Sequence, residues 1–599
     1  MPMIEAGPSR RRRPAPPLRA GILLGLLLCA AAPPGSAQTA AQEPPPDEIF
    51  FESVDVNVVN VEVFVTDGKG NPIQGLRRED FELRESGEPV EITNFLSIRE
   101  GRPVEDRAPS PRSGPVPPPS IPESQRLHVV LFVDHFNMPP KDRNQILTHL
   151  RRFLLESLDH RDRVMLASFD GTLQVERSFT SVPELIQPLI DEMRRRNSRA
   201  FEVEMGTRNI LRDIDDVNLN DSTGSVNIAQ EQARVILATI DNFSQELRTR
   251  NRFTLEAMNR LVDSLAGLRG RKAFVYVSNG MPLQPGRILM EAWNNKFESF
   301  ARGLGVSSVV GRGLDYDSTP DFQRFVAAAS ANRVVIYTID AAAQRAFGAV
   351  SAEVGGFDMS AVGTAGGGRS MPVELSHHQS ANFRSSMQMM AAGTGGLTFI
   401  NSRGLGENLS TLANDFKTYY SLGYRPERRA DGKFRPLKVK VKGGDYRVRH
   451  RSGYRDKTAD EAMGDQTLSA LLLNVVDNPL GISLERAPER KAEKKSYEVP
   501  ILVRIPIGSL ALLPDQTGHK GRVQVYVAVA DAKGGNSKVE KRTLPVSIPP
   551  ERIREALDQY IGHELTLRMR GGFHRLAVSV RDEIAAVSST VRVNFRVGD

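Results

Sequence analysis

Asp134 and Asn279 each stand at the end of an apolar run, and that placement gives them the best claim to chemistry in the chain. Residues 126–138 read RLHVVLFVDHFNM, and residues 272–280 read KAFVYVSNG. In open α/β sheets ligands collect beyond the carboxyl ends of the strands. A carboxylate and an amide at two such ends make a polar site along one edge of a sheet. Other oxygen-rich stretches are weaker. Asp67-x-Lys69-x-Asn71 has no carboxylate at the spacing a calcium loop needs, and reads as a hairpin turn. Asp213, Asp215, Asp216 and Asp221 form an acidic cluster in which Asp216-x-Asn218-x-Asn220 opens like an EF-hand loop. Asp221 then stands where that loop requires Gly, and Asn227 where it requires Glu, so a solvated polar loop is expected.

Residues 363–370, GTAGGGRS, are one residue from a phosphate loop. Arg369 replaces the Lys, no apolar strand precedes the run, and Pro372 interrupts the helix that would have to follow. His377 and His378 have no HExxH context, and Ser307 and Ser308 no G-x-S-x-G setting. No nucleophile–base constellation emerges, so the expected function is non-catalytic.

The elements that position Asp134 and Asn279 follow from periodicity. Val129 to Val133 are continuously apolar, as a strand covered on both faces must be. The two runs are separated by helical stretches, which predicts a doubly wound parallel sheet. Residues 142–158 place Ile146, Leu147, Leu150, Phe153, Leu154 and Leu158 on one helical side. Residues 201–225 look like a polar interruption. Residues 226–266 contain no Gly or Pro and have a helical period, enough for a helix of about 60 Å at 1.5 Å per residue. Such a helix would bend, break near Asn242 or project as an arm. Residues 341–380 read as a Gly-rich insertion.

On either side the pattern is β. Residues 50–98 alternate as a small β module, and residues 99–125 form a Pro-rich linker. Residues 457–464 look like a connector, and 466–476 a short helix. From 497 to 597 strand patterns dominate at the spacing of an Ig-like β-sandwich, assigned to residues 465–599. Lys438, Lys440 and Lys442 alternate with Val439 and Val441, within a stretch (425–457) holding 13 Lys/Arg and four Asp/Glu. Two readings stand: a surface for polyanions such as envelope polymers or lipid headgroups, or an edge strand guarded against mispairing.

The chain has 599 residues and a formal net charge of +7. Residues 1–37 hold five Arg and one Glu, leaving 74 basic against 71 acidic side chains, so overall charge does not suggest nucleic acid. Arg10 to Arg13, a 13-residue apolar run from Ala20 to Ala32, and Gly35-Ser36-Ala37 make a secretory signal peptide, too short to span a bilayer. Leu28 before Cys29 argues against a lipoprotein signal. Removal of the signal at residue 37 leaves no Cys and no disulfide, and a periplasmic, cell-surface or secreted protein that does not span the membrane.

The two apolar runs, with RDRVMLASFDGTLQVERSFTS at 161–181, resemble a von Willebrand factor type A domain. KAFVYVSNG sits where that family has a strand ending in Thr-Asp-Gly. With the β module in front and YYSLGYRP at 419–426 behind, residues 50–455 are similar to bacterial secreted VWFA-related domain proteins. The implied architecture is a central α/β doubly wound A-like domain, residues 126–456, between the β module and the Ig-like sandwich. The resemblance also implies a divalent-cation site, Mg²⁺ or Ca²⁺, made by Asp-x-Ser-x-Ser, a Thr and the last Asp. Asp134 takes the first position. Phe136 and Met138 replace both Ser, and Asn279 replaces the last Asp. The Thr position falls on Thr254 or Thr207, and Asn137 offers an amide oxygen one place off. No tight metal site is expected from this set, and no cofactor. The expected function is binding of another protein or an envelope polymer through the A-like domain. The alternative is a structural envelope scaffold, and a hydrolase with an unrecognised site is a third class.

Overall fold

The computed structural model describes residues 58–104, 126–158, 162–196, 198–219, 226–301, 309–342, 371–400, 405–428, 430–493, 496–516, 518–531 and 536–598. The signal peptide, Cys29, nearly all of the Pro-rich linker, Asp221, Ser307, Ser308 and the 363–370 run lie outside them.

In chain order the first strands are β1 (Val59–Thr66), β2 (Phe81–Glu85), β3 (Glu88–Val90), β4 (Asn94–Arg99) and β5 (Arg102–Val104). Then follow β6 (Leu127–Asp134), α1 (Pro140–Ser157), β7 (Arg163–Phe169), β8 (Leu173–Thr180), α2 (Gln187–Met193), α3 (Ala200–Asp216), α4 (Val226–Ser264) and β9 (Arg271–Ser278). Next are α5 (Arg287–Ala301), α6 (Val309–Arg312), α7 (Thr319–Ala331), β10 (Val334–Asp340), α8 (Met371–Thr394), β11 (Thr398–Ile400) and α9 (Leu405–Lys417). The chain returns to strands with β12 (Tyr419–Tyr424), β13 (Phe434–Val441), β14 (Arg447–His450) and β15 (Gly453–Arg455), followed by α10 (Ala459–Leu473).

β6 and β9 are parallel neighbours, with Val133 opposite Val277, and the sheet runs β11-β10-β9-β6-β7-β8. Every residue of β6 and β9 is buried because helices cover both faces. Val129, Leu131 and Val133 meet Ile146, Leu150 and Phe153 of α1 and Leu412 and Phe416 of α9. Val130 and Phe132 face the other way, toward Met258, Leu261 and Val262 of α4 and Phe322 and Phe325 of α7. Each such side chain, fully buried, contributes about 1.5–3 kcal/mol.

α4 is one uninterrupted helix of 39 residues, neither broken at Asn242 nor projecting alone. Its second half lies on the sheet. Its first half forms a separate core with α3 and α5, in which Ile210, Ile214, Ile236, Ile240, Trp293 and Phe297 are buried together. The stretch expected to be a polar interruption is thus largely the helix α3. Thr207, Ile210 and Ile214 make only a narrow buried stripe among its polar residues.

The boundaries expected at 98 and 456 do not match the strand pairing. β1 pairs antiparallel with β12, Val59 opposite Tyr424 and Val63 opposite Tyr420, and β13 pairs with β2. Two sheets, β14-β1-β12-β4-β5 and β15-β13-β2-β3, close over one core of Val61, Val63, Leu83, Leu422 and Val439. Residues 419–455 therefore complete the N-terminal β module, and the α/β unit is an insertion within that sandwich. The YYSLGYRP segment is structural here. Tyr419 lies under the Arg271 guanidinium at 3.7 Å, Tyr420 donates to the Ile73 carbonyl at 2.9 Å, and Tyr424 donates to Glu85 at 2.7 Å. Glu85 also accepts from Tyr454 at 2.6 Å and from Arg428 at 2.6 and 2.8 Å.

Residues 457–464, expected to be a connector, begin α10. Thr458 caps it, accepting from the Glu461 N–H while the Glu461 carboxylate accepts from the Thr458 N–H. α10 packs between the end of α4 and a second β-sandwich. Ser469 donates to the Ser264 carbonyl at 2.7 Å, and Thr467 donates to Ser579 at 2.8 Å. Gly267 makes the approach possible, since a Cβ there would lie 2.3 Å from the Asp465 backbone. The second sandwich comprises β16 (Ser483–Arg486), β17 (Arg490–Lys491), β18 (Ser496–Pro506), β19 (Leu513–Asp515), β20 (Gly518–Asp531) and β21 (Glu540–Ile548). The short helix α11 (Ile553–Ala556) and β22 (Tyr560–Arg570), β23 (Gly572–Asp582) and β24 (Ser588–Val597) complete it. Its core joins Val499, Ile501 and Val503 to Val523, Val525, Val578 and Val580.

The Glu85 cluster yields a prediction. Burial pushes the Glu85 carboxyl up, but the bonds from Arg428, Tyr454 and Tyr424 outweigh it and hold the carboxyl below its ordinary value. A carboxylate lowered in the folded state stabilises above its unfolded pKa, about 4.3, and loses that contribution as pH falls through the folded value. Glu85→Gln should cost about 2 kcal/mol at pH 7, by removing the charge-assisted bonds from Arg428, which keeps the Asp456 carboxylate at 3.2 Å. It should also remove part of the acid sensitivity of urea unfolding below about pH 4.3. A variant with wild-type stability at both pH values would show that the cluster is not a stabilising ion pair.

Candidate functional site

The Asp134 side chain is completely buried, at 0% exposure. After β6 the chain turns back, so that the N–H groups of Phe136 and Asn137 both donate to Oδ1 of Asp134 at 3.1 Å. The parallel register puts Tyr276 and Ser278 of β9 on the same face as Phe132 and Asp134. Their hydroxyls donate to Oδ2 at 2.6 and 3.0 Å, and the Asn137 amide donates to the same oxygen at 2.9 Å. A carboxylate offers about four lone-pair sites, so these donors saturate it. Burial pushes the Asp134 carboxyl up, opposed by the bonds from Tyr276, Asn137 and Ser278. Burial, and then the Asp134 charge, hold the Tyr276 hydroxyl well above its ordinary pKa.

α4 closes the site from above. The Asn137 amide also donates to Thr254 Oγ1 at 3.2 Å, and that hydroxyl donates to the Arg250 carbonyl at 3.2 Å. The Arg250 guanidinium lies 3.8 Å over the Phe136 ring and donates to the Phe136 carbonyl at 2.9 Å. Burial lowers the pKa of Arg250, against the opposing charges of Glu202 and Asp134.

Of the positions marked from the sequence, Asp134, Asn137 and Thr254 come together in one hydrogen-bonded group. Asn279 turns away, donating to Asp142 of α1 at 2.6 Å. Thr207 is on α3, with its hydroxyl engaged by the Val203 carbonyl at 2.8 Å, so it is not a partner of Asp134. Phe136 and Met138 are buried among apolar side chains on opposite faces of the sheet. A divalent cation does not fit this set. Mg²⁺ needs hard oxygens and retains several waters, whereas the one carboxylate here is enclosed and already saturated by protein donors. Among the described residues there is no cluster of three or more His, Cys, Asp or Glu able to hold a metal ion.

Sequence reading missed Tyr276, Ser278 and Arg250, which close the site. It also missed a second polar cluster beside it. His135 is buried, with Nδ1 3.4 Å from Arg143 Nη1. Burial, and next the Arg143 charge, lower its pKa to about 4. Ser168 donates to Glu176 at 2.5 Å, and Glu176 is held by Arg196 at 3.0 Å. The Ser168 proton is thus directed to a carboxylate already paired with arginine.

The lysine-bearing half of β13, Leu437 to Val441, pairs with β2, and β15 pairs only with Phe434 to Pro436. Lys438 is opposite Arg84 and Lys440 opposite Glu82. Lys442 donates to the Glu79 carbonyl at 2.9 Å. Arg84, Lys440 and Lys442 together hold Glu82 below its ordinary pKa, so the face carries mixed charge rather than a purely basic stripe.

No family model matches the chain, and no curated protein does. Among solved structures, it is similar to an aerotolerance-related membrane protein from Bacteroides fragilis, at 9% identity and a TM-score of 0.22, over 49% of this chain and 100% of that one. The conserved hypothetical protein BatB from Bacteroides thetaiotaomicron gives 8% identity and a TM-score of 0.22, over 48% and 96%. The pilus adhesin SpaC from Lactobacillus rhamnosus GG, in its open conformation, gives 8% and 0.24, over 89% and 58%. At TM-scores this low the likenesses carry no functional argument. Among the described residues no helix is long and apolar enough to cross a membrane.

Asp134→Ala should cost about 3 kcal/mol, because it leaves the Asn137 N–H and the Tyr276 and Ser278 hydroxyls buried without their acceptor, while the Phe136 N–H keeps the Phe169 carbonyl at 3.1 Å and the Asn137 amide keeps Thr254. Asp134→Asn should cost less, since its amide oxygen keeps the Phe136 and Asn137 N–H bonds. Chemical unfolding of the two variants checks the order. An alanine variant within about 1 kcal/mol of wild type would mean that the node is not structural.

Proposed function

We propose that the chain is an exported, non-catalytic interaction protein whose von Willebrand A-like unit serves as a rigid, metal-independent scaffold. In this reading the unit is held between a β-sandwich of split sequence and a C-terminal Ig-like sandwich. It contacts an envelope protein or envelope polymer through its outer surfaces, with no nucleic acid involved. The observation that carries the proposal is the closure of Asp134. Adhesion through a cation at the strand ends needs an open carboxylate and room for a partner's oxygen. Here the carboxylate has 0% exposure, and Tyr276, Ser278 and Asn137 occupy Oδ2. That favours the scaffold over metal-dependent adhesion.

Calorimetric titration of the protein lacking residues 1–37 with Mg²⁺ and Mn²⁺ should show no micromolar site. A micromolar site abolished by Asp134→Asn would replace this reading with metal-dependent adhesion.

A further inference from the structure

The C-terminal sandwich keeps one long strand edge open. β22 pairs with β18 along its whole length, from Ser496 opposite Arg570 to Pro506 opposite Tyr560, with no shift of register. Among the described residues no strand pairs with its other side. Such an edge offers a row of N–H and C=O groups to a further strand, and proteins usually blunt it with Pro, a bulge, a cover or a short strand. Other long edge strands of this chain are guarded in those ways. β21 carries Pro545, β24 is bridged at Thr590 by Asp477, and the register of β8 against β7 shifts twice. β16 and β17 have only four and two residues. β22 has eleven residues and no Pro.

The side chains of β22 alternate between its two faces. Leu565 and Leu567 turn toward the sandwich core and are only half-buried there. Glu564, Thr566 and Arg568 are exposed on the outer face. Glu564 stands opposite Leu502 on β18, which offers it no charge. Arg568 donates through Nε to Ser496 at 3.3 Å, which leaves its Nη groups for a partner. The two charges are mirrored about Thr566, the acid two residues before it and the base two residues after.

Antiparallel pairing of two copies of β22 about Thr566 uses that symmetry. Glu564 of each copy then stands opposite Arg568 of the other, giving two cross-strand ion pairs on the outer face. On the inner face Leu565 meets Leu567 of the other copy, which completes the burial of both. Arg570 meets Gly562, so no like charges are opposed. Opposite charges and apolar side chains set directly across from one another stabilise a strand pair, and like charges weaken it. A patch that matches itself across a two-fold axis is the commonest basis of a homodimer.

We propose that the chain dimerises by pairing β22 with β22 of a second copy, which joins two C-terminal sandwiches through one continuous sheet. This assignment is independent of the scaffold reading, which concerns the strand ends of the α/β sheet.

Sedimentation of the chain lacking residues 1–37, at about 1 to 200 µM, should show a monomer–dimer equilibrium. Arg568→Glu sets two acids against each other at each cross-strand position, and Glu564→Arg sets two arginines. Each variant alone should dimerise about tenfold or more weakly than wild type. Mixed in equal amounts, the two variants should form a heterodimer of near wild-type strength, because the acidic strand of one meets the basic strand of the other. Both side chains are exposed, and rescue in the mixture shows that each variant is folded. A wild-type chain that stays monomeric, a dimer indifferent to either reversal, or reversals that the mixture does not rescue would each overturn the proposal. The first of these results would leave the edge to a strand of another protein.

Discussion

A carboxylate taken out of water at the end of a buried strand must be given hydrogen bonds or lose its charge. Asp134 meets that constraint with donors from three directions: the turn after β6, the last residues of β9, and Asn137, which ties the group to α4 through Thr254. The arrangement fixes more than one side chain. It sets the path of the chain leaving β6, the register of β6 against β9, and the seat of the long helix on the sheet. Arg250, stacked on Phe136 and bonded to its carbonyl, adds a positive charge over the same node. Because buried polar groups polarise one another in a low dielectric, the cluster is rigid when complete and costly when broken. Such a site favours one conformation, which suits a scaffold better than a cation-gated switch.

The second constraint is topological. The α/β unit leaves the first sandwich after β5 and returns to it at β12, so both of its ends are fixed in one β module. Buried charges bridge the two. Arg271 of β9 pairs with Glu62 of β1 at 3.3 Å, and Arg449 of β14 binds Asp415 of α9 at 2.8 Å. α10 provides a further attachment, with Ser469 holding the turn after α4 through the Gly267 N–H at 3.0 Å. A unit tied at both chain ends and braced by a helix has fewer hinges than one joined by a single linker.

Parts of this were legible in the sequence because they depend on local pattern. Two apolar runs ending in polar residues identify buried parallel strands without any knowledge of their neighbours, and Asp134 follows as a strand-end group. What closes Asp134 was not legible. Tyr276 and Ser278 reach it only through the register of β9, and Arg250 only through the placement of α4. The choice between Thr254 and Thr207 could not be made for the same reason, since a Gly beside Thr207 says nothing of which helix crosses the sheet end. The boundary near residue 456 failed because strand partners are non-local: nothing in VNVEVFVT names Tyr420 as the neighbour of Val63. α3 was missed because its buried stripe is narrow and its surface rich in Asp. The mixed charge around the β13 lysines was not legible because Glu82, opposite Lys440, lies hundreds of residues earlier.

The most direct measurement is diffraction from crystals of the protein soaked in Mn²⁺, with anomalous data collected to locate the ion. Closure of Asp134 by protein donors requires no anomalous peak within about 2.5 Å of its carboxylate, with the Tyr276 hydroxyl still bonded to Oδ2. A peak at that distance, with Tyr276 or Asn137 displaced, would contradict the account and restore the strand ends as a metal site.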